Sequence, residues 1–214
     1  MRQVLILMAF FIFSCKGEKK YHDTDKRTAD TVESDKIADI IRFQNELNAE
    51  FKDPETSPLP DRFRMDFESL DFFSIDTNYI ITAAFTRTPD ALPFSMPTNT
   101  ERKSTEVLYG VAKFSMDGKE HELEIYQTPE LITQEKYKDY LFLPFTDATN
   151  GAETYGGGRY LDLKIPSGNT IVLNFNKAYN PYCAYNKKYS CPLVPSVNNL
   201  NTKVYAGVKA FDKY

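Results

Sequence analysis

Residues 106–127 limit the possible folds more than any other part of this chain, because apolar and polar residues alternate on both sides of Asp117-Gly118. An Asp-Gly link of two residues suits a type I′ hairpin turn, in which both central positions take positive φ. Pairing about that turn sets Lys113 opposite Glu122, Ala112 opposite Leu123 and Gly110 opposite Ile125. Charges then meet charges and apolar residues meet apolar ones, so the register supports the hairpin. The same register points His121 inward beside Phe114, where a histidine reads as a hydrogen-bonded core residue before it reads as a catalyst.

Similar short alternations occur at residues 79–85, 141–145, 160–165, 171–176 and 203–206. The segments 160–165 and 171–176 are predicted to form a second hairpin. Leu161, Leu163 and Ile165 would match Phe175, Leu173 and Ile171, with Tyr160, Asp162, Asn174 and Asn176 on the opposite face. Sixteen Phe and 14 Tyr, with no Trp, fit pleated half-buried surfaces. The expectation is a mainly β fold, an antiparallel β-sandwich or a small β-barrel; the alternation suits both equally. Before it, residues 35–52 place Ile37, Ile40, Ile41, Leu47 and Phe51 at helical spacing, with Gln44 as the one polar interruption. This predicts one N-terminal amphipathic helix packed on the sheet, ended by Pro54, Pro58 and Pro60.

The first residues carry a different signal. Arg2 is followed by an apolar run of ten residues, 4–13, and then by Ser14-Cys15. This is the pattern of a lipoprotein signal peptide, and the run is half the roughly 20 residues needed to span a bilayer. The expected organisation is a signal peptide at 1–14, a lipidated Cys15 with a flexible polar tether to residue 34, and a single β-rich domain at 35–214. The expected location is the cell envelope, with the domain lipid-anchored to a bacterial membrane and facing the periplasm or cell surface.

Removing residues 1–14 leaves 25 basic residues against 30 acidic ones, which disfavours nucleic acid as a partner. It also leaves Cys183 and Cys191 as the only other cysteines, an even pair that reads first as a disulfide outside the cytoplasm. Zinc is disfavoured by the wide gap between them and by the scarcity of histidine, only His22 and His121. No metal or cofactor is expected.

Polar and aromatic residues crowd into two stretches. The first runs from Phe145 through Asp147, Thr149, Gly151, Thr154, Tyr155 and Gly158 to Arg159-Tyr160. The second is Asn174-Phe175-Asn176-Lys177-Ala178-Tyr179-Asn180-Pro181-Tyr182-Cys183-Ala184-Tyr185, followed by Cys191-Pro192-Leu193. Over residues 38–207 the chain resembles the domain-of-unknown-function family 1684, which shares an F-x-D-x-T-x-G-x-x-T-Y-x-x-G-R-Y block, a D-F-N-x-A-Y-N-P-x-C-A-Y block and a C-P-L-x-P turn. The resemblance implies membership of a family with many bacterial lipoproteins and no assigned activity. Asn174, Asn199 and Val208 replace charged residues of the family pattern, which weakens any enzymatic reading.

The favoured expectation is a non-enzymatic binding or structural module for a small polar ligand or glycan. Its site would be formed by Asp147, Tyr155 and Arg159 meeting Asn176, Tyr179 and Asn180. The alternative is a hydrolase of envelope components using Asp147 and Glu153 as a carboxylate pair, with His121 as a further candidate. Calcium on Asp147, Thr149 and Glu153, or an anion cradled at Gly156-Gly157-Gly158, finds weaker support.

Overall fold

The computed structural model describes residues 23–211, and only the backbone of residues 23–30. Cys15 and the segment 1–22 lie outside the described residues. Helix α1 (Asp23–Lys52) precedes a short helix α2 (Asp61–Arg64). Eight strands follow: β1 (Ile80–Arg87), β2 (Phe94–Pro97), β3 (Lys103–Met116), β4 (Lys119–Gln127), β5 (Tyr140–Asp147), β6 (Arg159–Lys164), β7 (Thr170–Asn174) and β8 (Asn199–Leu200).

The sheet runs β6-β5-β4-β3-β1-β7 with antiparallel neighbours. It curls into a nearly closed barrel, which resolves the choice between sandwich and barrel. Its interior is filled by Phe85, Phe114, Leu123, Ile125, Leu143, Phe145, Leu161 and Leu173, among others. The β3–β4 register is the one the sequence predicts, with Lys113 opposite Glu122 in a 2.9 Å ion pair. Asp117 and Gly118 both have positive φ, 52° and 71°. A bulge at Tyr109 breaks the ladder, and Gly110 beyond it lies under the Phe85 ring, where a Cβ would come within 2.5 Å of a ring carbon.

Two predicted strands behave differently. Residues 203–206 form no strand because buried side chains have taken their peptide groups: Val204 N–H donates to Asp147, and the Val204 and Ala206 carbonyls accept from Arg159. The second predicted hairpin does not zip, since β6 pairs with β5 and β7 pairs with β1. The Asn174 side chain accepts from Asn176 N–H and starts a 3-10 turn at Phe175, which bends the chain out of β7. Tyr179 then takes the free edge of β6, exchanging two backbone bonds with Tyr160 at 2.9 and 3.0 Å. Alternation along β6 therefore directs the peptide groups of Asp162 and Lys164 into the gap between β6 and β7.

Helix α1 lies against this seam. It begins twelve residues earlier than its apolar stripe predicts: a helix once nucleated lengthens by one bond per residue, and Glu33 in the extension accepts from the Thr77 hydroxyl at 3.1 Å. The expected tether is thus helical from Asp23. Ile40 and Phe51 are buried, Ile37 and Leu47 half-buried, and Ile41 faces solvent. Phe51 meets Tyr185 edge-on at 4.7 Å and Phe67 at 5.7 Å, fixing the C-terminal end of the helix to the loops over the barrel mouth. Asn48 Oδ1 accepts from Leu70 N–H in the same region.

Candidate functional site

Most of the residues singled out in the two motif stretches hold the fold together. Asp147 and Arg159 form an ion pair at 2.8 Å with both side chains fully buried. Asp147 Oδ1 also accepts from the Thr149 N–H and hydroxyl and from Val204 N–H. Burial pulls the Arg159 pKa down, and Asp147 counters the shift. Thr149, Asn150 and Thr154 close the intervening loop on itself. Gly158, at φ 89°, packs so tightly that a Cβ would lie 2.7 Å from the Phe145 carbonyl.

Asn176 clamps the Asp76 backbone through both ends of its amide, at 3.0 and 2.9 Å. Asn180 donates to the Tyr185 hydroxyl and the Lys209 carbonyl. Tyr155 lies against Cys183, and burial pushes its hydroxyl up to about 12. Asp147, Tyr155, Arg159, Asn176 and Asn180 therefore spend polar groups on protein partners, though Arg159 Nε and Asn180 Oδ1 are buried without one, and none of the five lines the cleft between α1 and β6. The two carboxylates of the expected pair are likewise separated. Asp147 is sealed under Arg159, whereas Glu153 holds the partly exposed Lys203 at 2.9 Å, and that bond lowers its pKa. His121 stacks on Phe114 at 5.6 Å as expected, but its Nε2 is buried without the anticipated hydrogen bond.

The three replaced family positions occupy separate environments. Asn174 caps the turn after β7, Asn199 accepts from Thr146 on β8, and Val208 is buried beneath Phe72 and its neighbours.

Of the six expected ligand residues, Tyr179 alone lines a cleft of about 400 Å³ between α1 and the outer face of β6. Helix α1 contributes Phe43, Glu46, Leu47 and Glu50, one face at i, i+3, i+4 and i+7 spacing. The β6 strand contributes Tyr160 and Asp162, and the loop after β7 contributes Tyr179, Pro181 and Tyr182, with Cys191 at the margin. Asp162 organises the floor. Its Oδ1 accepts from the Tyr179 hydroxyl at 2.6 Å and the Tyr140 hydroxyl at 2.8 Å. Its Oδ2 has no hydrogen-bond or ion-pair partner among the described residues.

Protein packs densely around this carboxylate while solvent still reaches it from the cleft. Desolvation raises its pKa, and the two tyrosine hydrogen bonds work in the opposite sense. Tyr179 and Tyr140 are pushed up by the same burial and by Asp162, so both stay neutral donors. Across the cleft the Tyr182 hydroxyl donates to Glu50. Asp162 was legible as an outward residue of β6, but its recess arises from the unzipped seam and the helix over it, neither of which strand periodicity contains.

Cys183 and Cys191 are free thiols in the structure, not the expected disulfide. They are nevertheless neighbours: Cys183 N–H points to Cys191 Sγ at 3.3 Å. The Cys191 thiol donates to Cys183 and draws its pKa down to about 7, which makes Cys183 the better thiolate of the two. Oxidation is what separates this arrangement from the bond, since the chain already brings the sulfurs together. Among the described residues no three His, Cys, Asp or Glu side chains are grouped as a metal site requires.

Comparison with known proteins shows similarity to a sequence family and to a solved structure. The sequence model described as "Protein of unknown function (DUF1684)" matches residues 65–209. That match begins after α1, so the helical wall of the cleft lies outside it. An uncharacterized protein of Haloarcula marismortui, with a solution NMR structure, is 30% identical with a TM-score of 0.64; the similarity covers 90% of this chain and 100% of that one. No curated protein matches.

Proposed function

The chain belongs to the DUF1684 family of proteins of unknown function, and from that premise we propose that it is a non-enzymatic binding module for a small polar ligand. The site of this reading is the cleft between α1 and β6. One observation carries it: Asp162 lines the cleft, positioned by two tyrosine hydroxyls on one oxygen, while its other oxygen has no hydrogen-bond or ion-pair partner among the described residues. A volume of about 400 Å³ falls in the range of small-molecule pockets. The hydrolase alternative needed Asp147 and Glu153 to share a cavity, and their separate ion pairs count against it. A thermal-shift screen of small polar compounds, including monosaccharides, amino acids and amines, tests the binding reading. At least one compound should raise the melting temperature of the wild type and fail to do so for Asp162→Asn. Shifts that survive in Asp162→Asn and in Glu46→Gln would place binding elsewhere.

The second half of the proposal is the address. Signal cleavage before Cys15 and its acylation would anchor the protein to an envelope membrane, with α1 starting a few residues beyond the lipid. The support is the charged, apolar and small-residue pattern of residues 1–15. No helix of the described residues is long and apolar enough to cross a membrane. Cys15→Ser should move the protein from the membrane pellet to the soluble fraction. Unchanged partitioning would remove the anchor from this account.

A further inference from the structure

We infer that the cleft beneath α1 selects an organic cation, a ligand carrying an ammonium or quaternary ammonium group. The inference rests on the binding reading above and adds the charge and shape of what binds. Three carboxylates line the cleft, Asp162, Glu46 and Glu50, and no Lys, Arg or His lines it. The neighbouring recess on the other side of Asp162 holds Lys36, Lys164, Lys177 and Asp39. Lys177 is engaged by Asp39 at 2.5 Å and Lys164 by Asp139 at 3.1 Å, while Asp162 has no ion pair among the described residues. Asp162 is solvent-exposed, so an incoming cation is attracted to it directly, where an anion is repelled and a neutral molecule gains nothing from its charge.

The walls narrow the class of cation. Phe43, Tyr160, Tyr179 and Tyr182 supply four aromatic rings. Tyr160 and Tyr179 stand at 88° to each other with centroids 5.9 Å apart, the corner of a box. Aromatic rings beside carboxylates suit a diffuse, weakly hydrated ammonium group, which is attracted to ring faces. Phe43 already draws a cation on the recess side, with Lys177 Nζ 5.9 Å from its centroid. The carboxylates do not converge as metal ligands would, so the geometry suits a molecule that spans the cleft better than a bare ion. Asp162 Oδ2 would take the charged head, and Glu46 would add longer-range attraction from α1.

The test pairs choline with its uncharged carbon isostere, 3,3-dimethylbutan-1-ol, by isothermal titration calorimetry on the purified chain. The expected result is that choline binds at least about ten-fold more tightly than the isostere. Asp162→Asn should erase that preference. Glu46→Gln, a change at a solvent-facing helix position that leaves folding intact, should weaken choline several-fold and leave the isostere unchanged. A cationic head could belong to a free metabolite or to a lipid: binding of phosphatidylcholine vesicles that free choline competes away supports the inference with a lipid as the source, and binding of free choline alone supports it with a soluble source. Equal binding of choline and the isostere, lost in Asp162→Asn, overturns the cation inference and leaves the binding reading standing. Silence of both probes, together with a polar screen that gives no Asp162-dependent shift, overturns the two together.

Discussion

At Arg159 a full positive charge stands among Phe145, Val204 and Ala206 with no surface open to water, neutralised by Asp147 and by two carbonyls. Removing one member of such a pair leaves the other desolvated and alone. Arg159→Met should therefore destabilise the protein by about 3–5 kcal/mol, read from urea unfolding, without altering ligand preference in the cleft. Glu106 is the complementary case, a buried carboxylate held by the Ser104 and Thr128 hydroxyls at 2.5 and 2.8 Å with no ion pair among the described residues. Desolvation raises its pKa in the folded protein. The native state then keeps a proton that the unfolded chain releases first, so this contribution is complete below the ordinary glutamate value and is lost as pH rises through the folded one. Glu106→Gln removes the dependence, and its urea midpoint should improve relative to wild type as pH rises above the ordinary glutamate value of about 4. A constant difference across that range would contradict the assignment. At this scale the sequence marks which residues matter without marking why: Asp147, Arg159, Asn176 and Asn180 stand out by type and spacing, yet their polar groups close inward on partners up to 100 positions away. Separation of that kind leaves no local trace.

Among the elements, the β3–β4 hairpin was legible to the residue because turn chemistry, charge pairing and apolar pairing all specify one register. The β6–β7 pairing was misread because alternation reports which face a side chain takes and is silent on which neighbour a strand chooses. Helix α1 shows the same division: its apolar stripe located the segment 35–52 correctly, while its extension back to Asp23 has no apolar stripe to announce it. The anchoring contact is Phe51, wholly buried against Phe67 and Tyr185. Phe51→Ala should cost about 3–5 kcal/mol. Amide exchange along residues 40–52 should accelerate before exchange in the barrel does, and the cleft should lose its ligand in parallel. Simultaneous loss of protection in helix and barrel would mean that the two unfold as one unit.

For the whole molecule, the loops that carry the two cysteines join the barrel mouth to the margin of the cleft, since Cys191 reaches both. Closing the Cys183–Cys191 bond in an oxidising compartment should add about 2–3 kcal/mol. Intact mass under non-reducing conditions should fall by two hydrogens, and the melting temperature should drop when reductant is added. Two alkylatable thiols in material recovered from the envelope would contradict the pairing. The mainly β fold class follows from the sequence pattern, which left sandwich and barrel open, whereas the cleft exists only because a barrel stops one pairing short and a helix covers the gap. That cover has a second consequence. Strand margins that face a gap are templates for other chains, so a chain lacking residues 23–52 should self-associate edge to edge more readily than the full-length protein, read by light scattering.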